Sequence, residues 1–230
     1  MKVHLMLTCL ADTFFGRVGT ATVRVLEHAG FEVEFPPRQT CCGQPAYNSG
    51  DSRTAIDMAS HTIKVFESAE VVVTPSGSCA AMVTHGYQRL GAPMLPPVYE
   101  LTAFLDKFAS NTIWSGFKEP KQIALHESCH GRAVGAGAAH QRVLSTVPNL
   151  TILPLAEPEQ CCGFGGTFST DRPLTSQLIG LRKLECLTTT GAKTVVSGDL
   201  GCLMHLDGLA RREGVSLEFL HVSEVLSSAI

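Results

Sequence analysis

Val71-Val72-Val73-Thr74-Pro75-Ser76-Gly77-Ser78-Cys79 and Thr194-Val195-Val196-Ser197-Gly198-Asp199-Leu200-Gly201-Cys202 are one passage written twice. Each begins with a short β-branched apolar run, passes through a loop of small residues, and ends on a cysteine that opens an apolar-periodic stretch. That is the signature of strand, loop and helix in succession. The offset of 123 residues recurs between Gly91 and Gly214. The chain therefore reads as an internal duplication of an α/β unit.

The other cysteines extend the repeat. Cys9 is followed after 32 residues by Cys41-Cys42-Gly43, and Cys129 after 32 residues by Cys161-Cys162-Gly163. From the pair to the last cysteine is 37 residues in one copy and 40 in the other, so the second copy carries three extra residues before its third strand. Eight of the nine cysteines belong to this pattern. Thiolates grouped this way bind a soft metal or an iron–sulfur cluster, or form disulfides. The odd total and the adjacent pairs make a bridged framework awkward.

The remaining elements follow the same order in both halves. Strands are predicted at Lys2–Thr8, Phe31–Phe35, Val71–Thr74 and Met94-Leu95, with helices from Val18 to Gly30, Ser52–Ser68, Cys79–Leu90 and Val98–Phe108. In the second half the strands are Gln122–Leu125, Thr151–Leu155, Thr194–Ser197 and Leu217–Phe219. Its helices are Gly131–Ser145, Thr175–Thr189, Cys202–Arg211 and His221–Ser227. Strands alternating with helices imply parallel pairing. The expected architecture is two small three-layer α/β domains, 1–110 and 119–230, each with a mainly parallel four-stranded sheet, packed about a pseudo-twofold axis. Ligands in such sheets sit beyond the carboxyl ends of the strands, where every motif cysteine is expected.

Composition narrows the function. Net charge is −3 and the cations form no stripe, so nothing points to nucleic acid. No run of eighteen apolar residues exists, and the apolar start is broken by His4, Thr8 and Asp12, so neither a membrane span nor export is expected. A cytoplasmic setting then favours metal or redox chemistry over disulfides. Each half offers a four-thiolate set: Cys9, Cys41, Cys42 and Cys79 in one, Cys129, Cys161, Cys162 and Cys202 in the other. Such a set suits an iron–sulfur cluster, with [4Fe–4S] as the expected type and up to two per chain, or a tetrahedral zinc as the alternative. Gly43 and Gly163 let the backbone turn beside a bulky ligand.

The stretches Thr74–Cys79, Cys161-Cys162-Gly163-Phe164-Gly165-Gly166-Thr167-Phe168 and Gly201-Cys202-Leu203-Met204-His205 carry a family likeness. The pattern resembles the cysteine-rich CCG domain found in heterodisulfide reductase, in the iron–sulfur subunits of glycolate oxidase and anaerobic glycerol-3-phosphate dehydrogenase, and in a component of succinate:quinone reductase. Over essentially all 230 residues the chain is similar to the lactate-utilisation protein A family of (Fe–S)-binding oxidoreductases. The resemblance implies a non-flavin iron–sulfur subunit that relays electrons in L-lactate oxidation to pyruvate. It also implies two partners, a ferredoxin-like iron–sulfur protein and a third lactate-utilisation subunit. In heterodisulfide reductase the motif ends in CxxC and binds a noncubane cluster through five cysteines. Here the first cysteine of that CxxC is Ser76 in one repeat and Asp199 in the other, which argues against disulfide cleavage. The alternatives are a zinc-stabilised interaction module and a subunit of another 2-hydroxy-acid oxidase or disulfide reductase.

Around the sulfurs, Ser76 and Asp199 are read either as oxygen ligands or as a loop hydroxyl and a helix N-cap. His126 and His130 bracket Cys129, and either donate to the centre or serve packing and helix-start roles. His4 is read as a satisfied core or edge histidine, and Cys186 as a buried thiol outside the repeat. Arg17 and Arg132 are candidates for pairing with a carboxylate, and His205 stands three residues past Cys202.

Overall fold

A computed structural model describes all 230 residues. The first half runs β1 (Lys2–Leu5), α1 (Cys9–Phe14), α2 (Gly16–His28), β2 (Glu32–Glu34), α3 (Gln44–Asn48), α4 (Ser52–Val65), β3 (Val72–Thr74) and α5 (Gly77–Ala81). It ends with a π turn at Met82–Gly86, α6 (Tyr87–Arg89), β4 (Val98–Glu100) and α7 (Leu101–Phe108). The second half runs β5 (Lys121–Leu125), α8 (Cys129–Ala133), α9 (Ala136–Ser145), β6 (Leu150–Leu153), α10 (Phe168–Asp171) and α11 (Pro173–Thr188). It closes with β7 (Thr194–Ser197), α12 (Leu200–Arg212), β8 (Glu218–His221) and α13 (Val222–Ser227).

Each half is a wholly parallel four-stranded sheet, ordered β2-β1-β3-β4 and β6-β5-β7-β8. In both, the chain leaves the first strand toward one edge and returns to build the other. The crevice at this reversal lies between the carboxyl ends of β1 and β3, and of β5 and β7, where open α/β sheets place ligands.

Alternation along the strands divides the core. Val3, Val71, Val73, Ile123, Leu125 and Val196 face a central cluster that both halves build, with Phe104, Leu144 and Val225 from the helices between the sheets. Met6 and Val72 turn to the opposite face of the first sheet, toward Phe66, Met82 and Tyr87. Ala124 and Val195 do the same in the second sheet, toward Leu187, Leu203 and Leu206. Each sheet is thus covered on both faces, as buried parallel sheets require.

The packing is reciprocal. α2 rests on α13 and α7 on α9. Because α2 and α9 are counterparts in the duplication, as are α7 and α13, the two contacts are one contact seen twice, the mark of a pseudo-twofold. Near the cysteines, α5 meets α8, while its counterpart pair α12 and α1 is looser. A Cβ on Gly77 would lie 2.6 Å from the Gly131 Cα, so the first approach depends on two glycines. The corresponding residues in the looser pair are Leu200 and Ala11.

Some expected boundaries move. The fourth strand lies at Val98–Glu100, not at Met94-Leu95. Pro93, Pro96 and Pro97 surround that pair, and proline cannot supply ladder donors. Cys9 and Cys129 open short helices, capped by Thr8, which accepts from Ala11 N–H at 3.1 Å, and by Ser128, which accepts from Gly131 N–H at 3.0 Å. The helix expected over Gly131–Ser145 divides at Gly135, whose φ is +76°.

Candidate metal centre

Each motif cysteine sits just beyond the carboxyl end of a strand. Cys9 and Cys79 follow β1 and β3 across the first crevice, and Cys129 and Cys202 follow β5 and β7 across the second. The Cys-Cys pairs arrive on the loops after β2 and β6. Gly43 and Gly163 then reverse the backbone with φ of +85° and +87°.

Adjacent side chains diverge on such a backbone, and the pairs divide their contacts accordingly. Cys42 turns inward, its sulfur 3.5 Å from that of Cys79, while Cys41 meets Cys9. Cys162 lies 2.9 Å from Cys202, sulfur to sulfur, while Cys161 meets Cys129. The inner four are buried, Cys41 is half-buried, and Cys9, Cys129 and Cys161 are exposed. All nine cysteines are free thiols. The two tetrads open onto one cavity of about 180 Å³ between the halves, to which all eight motif cysteines contribute. The four-sulfur sets of the two repeats are two walls of this one chamber.

The sulfurs share protons. Cys42 and Cys9 both donate to Cys41, which with the Gly43 N–H brings its thiol down to about 3. Cys129 and Cys162 do the same for Cys161, with the Gly163 N–H, bringing it to about 2. Donation to these thiolates, together with burial, pushes Cys9, Cys42, Cys129 and Cys162 up. The contact with Cys162 lowers Cys202, but burial together with the charges of Asp199 and Cys161 outweighs it and the thiol is raised. Cys41 and Cys161 are thus the thiols held lowest in their tetrads, and thiolate ligation of a metal releases protons.

Ser76 caps α5, accepting from Cys79 N–H at 3.2 Å, so it takes the N-cap role. Asp199 does not cap its own helix. Its carboxylate crosses to the other repeat, accepting from Ser78 N–H and Oγ–H at 2.8 Å each, and also from Ser128 Oγ–H at 3.2 Å. Burial raises its carboxyl, against the pull of these hydrogen bonds. His130 is half-buried beside the cavity, its Nδ1 3.8 Å from the Cys129 sulfur. His126 is fully buried, and neither ring nitrogen has a partner. Burial, then the charge of Lys183, holds its imidazole neutral, down to about 3.

Other candidates fall away from the chamber. Arg17 pairs with Glu224 at 2.6 Å, and Arg132 turns toward the Glu127 carbonyl at 3.4 Å. His205 lies 3.4 Å from Ser176 Oγ, and Cys186 approaches the Glu157 carbonyl at 3.8 Å. His4 is buried with Nε2 3.5 Å from Glu34, though its Nδ1 has no partner.

Two loop anchors went unread in the sequence. Gln39 accepts from Leu7 N–H at 2.7 Å and donates to the Leu5 carbonyl at 3.1 Å, clamping the loop before Cys41 to β1. Buried Lys183 donates to the carbonyls of Glu157 and Pro158 at 3.1 and 3.2 Å, fixing the loop before Cys161. The only sequence signal was a lysine at a buried position of an amphipathic helix.

Residues 3–84 and 123–207 each match the CCG family, a cysteine-rich domain. The chain is 40% identical to "Lactate utilization protein A 2" of Bacillus cereus, over 100% of this chain and 99% of that protein. It is 42% identical to "Lactate utilization protein A" of Bacillus pumilus, over 99% of this chain and 100% of that protein. Among solved structures, a hypothetical protein from Helicobacter pylori superposes with a TM-score of 0.66 at 9% identity. That match covers 99% of this chain and 48% of the other, and it speaks to the fold alone.

Proposed function

The chain belongs to the cysteine-rich CCG-domain family and, within it, to the lactate utilization protein A proteins, and from this premise we propose that it is an iron–sulfur electron-transfer component of a system oxidising L-lactate to pyruvate. The observation that carries the reading is the pair of four-sulfur groups at the two sheet crevices, facing one cavity. The donor set fits the cofactor: eight unbonded thiols, four of them buried, whose inner pairs Cys42–Cys79 and Cys162–Cys202 stand 3.5 and 2.9 Å apart.

In this reading Cys9, Cys41, Cys42 and Cys79 hold one cluster, and Cys129, Cys161, Cys162 and Cys202 the other, each of the [4Fe–4S] type. A bound cluster supplies one-electron storage without hydride or group chemistry. The chain positions and shields. Ser76, Thr8 and Ser128 fix the helix starts that carry Cys79, Cys9 and Cys129. Phe164 and Leu10 line the chamber and exclude water beside the sulfurs. Two electrons leave lactate as it becomes pyruvate, and two tetrads per chain match that number. In this reading lactate itself is handled by the partners, a ferredoxin-like iron–sulfur protein and a third lactate-utilisation protein, in the cytoplasm. The same reading takes 1–110 and 119–230 as the two cluster-bearing units. No helix is long and apolar enough to cross a membrane.

Purification without oxygen, followed by iron and labile-sulfide analysis and EPR, tests the centres. Wild type and Cys186→Ser should carry the same iron, while Cys42→Ser and Cys162→Ser should each lose one cluster, since a serine hydroxyl replaces a thiolate poorly. Equal iron in all four proteins refutes the ligand assignment. Stoichiometric zinc without sulfide would replace the relay with a zinc-stabilised module. Unchanged growth on L-lactate after deletion of the gene would refute the lactate assignment.

A further inference from the structure

The two tetrads differ in one buried neighbour. Met6 N–H donates to the Val73 carbonyl at 2.8 Å, and His126 N–H donates to the Val196 carbonyl at 2.8 Å. The two residues therefore hold the same place at the end of the first strand of their sheets. One repeat puts a thioether there, the other an imidazole.

An imidazole in that place is costly. His126 is fully buried, and both Nδ1 and Nε2 lack a hydrogen-bond partner. Buried polar groups without partners are rare and destabilising, and each asks for a reason. The reason lies alongside: a ring nitrogen of His126 and the sulfurs of Cys162 and Cys202 all lie within 4.8 Å of one another, and all three side chains are buried. Met6 offers its own tetrad only a weak thioether, packed among Cys42, Val72 and Cys79.

We infer that His126 is a metal donor, one ring nitrogen joining Cys162 and Cys202 on a shared metal, so that the second centre has mixed nitrogen and sulfur ligation while the first is held by sulfur alone. The inference rests on the reading that the tetrads bind metal, and it adds a ligand that the duplicated cysteine pattern does not contain. Ligation gives one orphaned nitrogen its partner. It also makes the two centres chemically unequal, because a neutral imidazole and a thiolate place different charge on a metal.

The probe is cobalt(II), added without oxygen to the metal-free full-length protein labelled with 15N-histidine. Pulsed EPR then reports directly bonded nitrogen whatever the native metal is. Wild type should show imidazole-nitrogen coupling. His126→Met, which copies the first repeat, and His126→Ala should both lose it. One of the two cobalt-binding events should weaken on the order of tenfold or more, the other staying unchanged. Two variants guard against one failing to fold, and circular dichroism checks each. Absent coupling in wild type, or coupling that persists in both variants, overturns the inference. Iron and sulfide analysis of anaerobically purified protein decides the parent reading separately. Native zinc with His126 coupling on cobalt overturns the iron–sulfur reading and leaves this inference standing. Native iron and sulfide without coupling does the reverse. No cobalt uptake at all overturns this inference and leaves the parent reading to the iron and sulfide analysis.

Discussion

Asp199 takes its hydrogen bonds from Ser78 on the other repeat and from Ser128 at the start of α8, so one carboxylate joins three segments around the sulfur chamber. Burial holds this carboxyl above its ordinary value even with those donors in place. The negative charge is therefore less comfortable in the fold than in water, and the acceptors rather than the charge hold the segments. Asp199→Ala, which strands the Ser78 N–H, should cost about 1–3 kcal/mol. Asp199→Asn keeps one acceptor, sheds the charge, and should cost less than about 1 kcal/mol. Urea denaturation of the metal-free proteins reads both, and equal losses would show that the charge itself is required. The position illustrates what one sequence can carry. An aspartate before an apolar helix reads as an N-cap, and the local pattern justified that reading. Its real partner Ser78 is 121 residues away, and only the pseudo-twofold delivers it. Ser76, read as a loop hydroxyl or an oxygen ligand, is the residue that caps its helix, through Cys79 three residues on.

At the scale of elements, the Cys-Cys-Gly turn splits each pair between an inner and an outer sulfur. The glycine's positive φ makes the turn, and any other L-residue there meets a penalty of about 1–2 kcal/mol in both repeats. The surroundings then separate the two positions. A Cβ on residue 43 would lie 3.2 Å from the Met58 Cβ, a tight contact relieved by a shift of a few tenths of an ångström. On residue 163 it would collide with the Ser176 carbonyl oxygen and lie 3.0 Å from the Gly180 nitrogen, both backbone of α11. Gly163→Ala should therefore destabilise by about 1–3 kcal/mol more than Gly43→Ala, since overpacking against fixed backbone is not relieved. Thermal melts of the two variants, measured without metal, check the ordering, and equal melting temperatures would contradict it. Element boundaries were legible wherever a local rule governed them. β-branched runs located β3 and β7, and the repeat offset located their following helices. The fourth strand of the first half was misplaced because Met94-Leu95 is more apolar than Val98-Tyr99-Glu100, and the helical periodicity after Glu100 absorbed the true strand.

At the scale of the molecule, the two halves meet through a buried polar seam. Glu100 caps α7, accepting from Thr102 N–H at 2.8 Å, and lies 3.3 Å from His140 on α9. His221, its counterpart in the repeat, caps α13 and accepts from Ser223 N–H at 3.1 Å. The seam was invisible in the sequence, where these residues stand at unrelated points of two helices and a strand end. It makes the whole fold acid-sensitive in a defined order. Burial pulls the His221 imidazole down to about 4, against the attraction of Glu100 and with the help of His140. Unfolded, the same ring titrates at its ordinary 6.5. Between those values the unfolded chain binds a proton that the native state refuses, so stability is full above 6.5 and falls as pH drops toward 4. Each pH unit inside that window costs about 1.4 kcal/mol for one such group. Glu100 acts at the acid end. Burial alone would raise its carboxyl, but His140 and its hydrogen bonds lower it, so its contribution persists until the pH falls below its ordinary 4.5. Within this seam the histidine therefore acts first and the carboxylate second, while His126, held down to about 3, draws on stability through the same window. His221→Gln removes the seam's own histidine proton while keeping a polar cap. Urea denaturation of metal-free wild type and variant at several pH values between 7 and 4 should give a wild-type slope steeper by about 1.4 kcal/mol per pH unit through the middle of that window. Parallel slopes would mean that His221 takes up its proton as readily in the fold as out of it, and that the seam opens to water before the molecule unfolds.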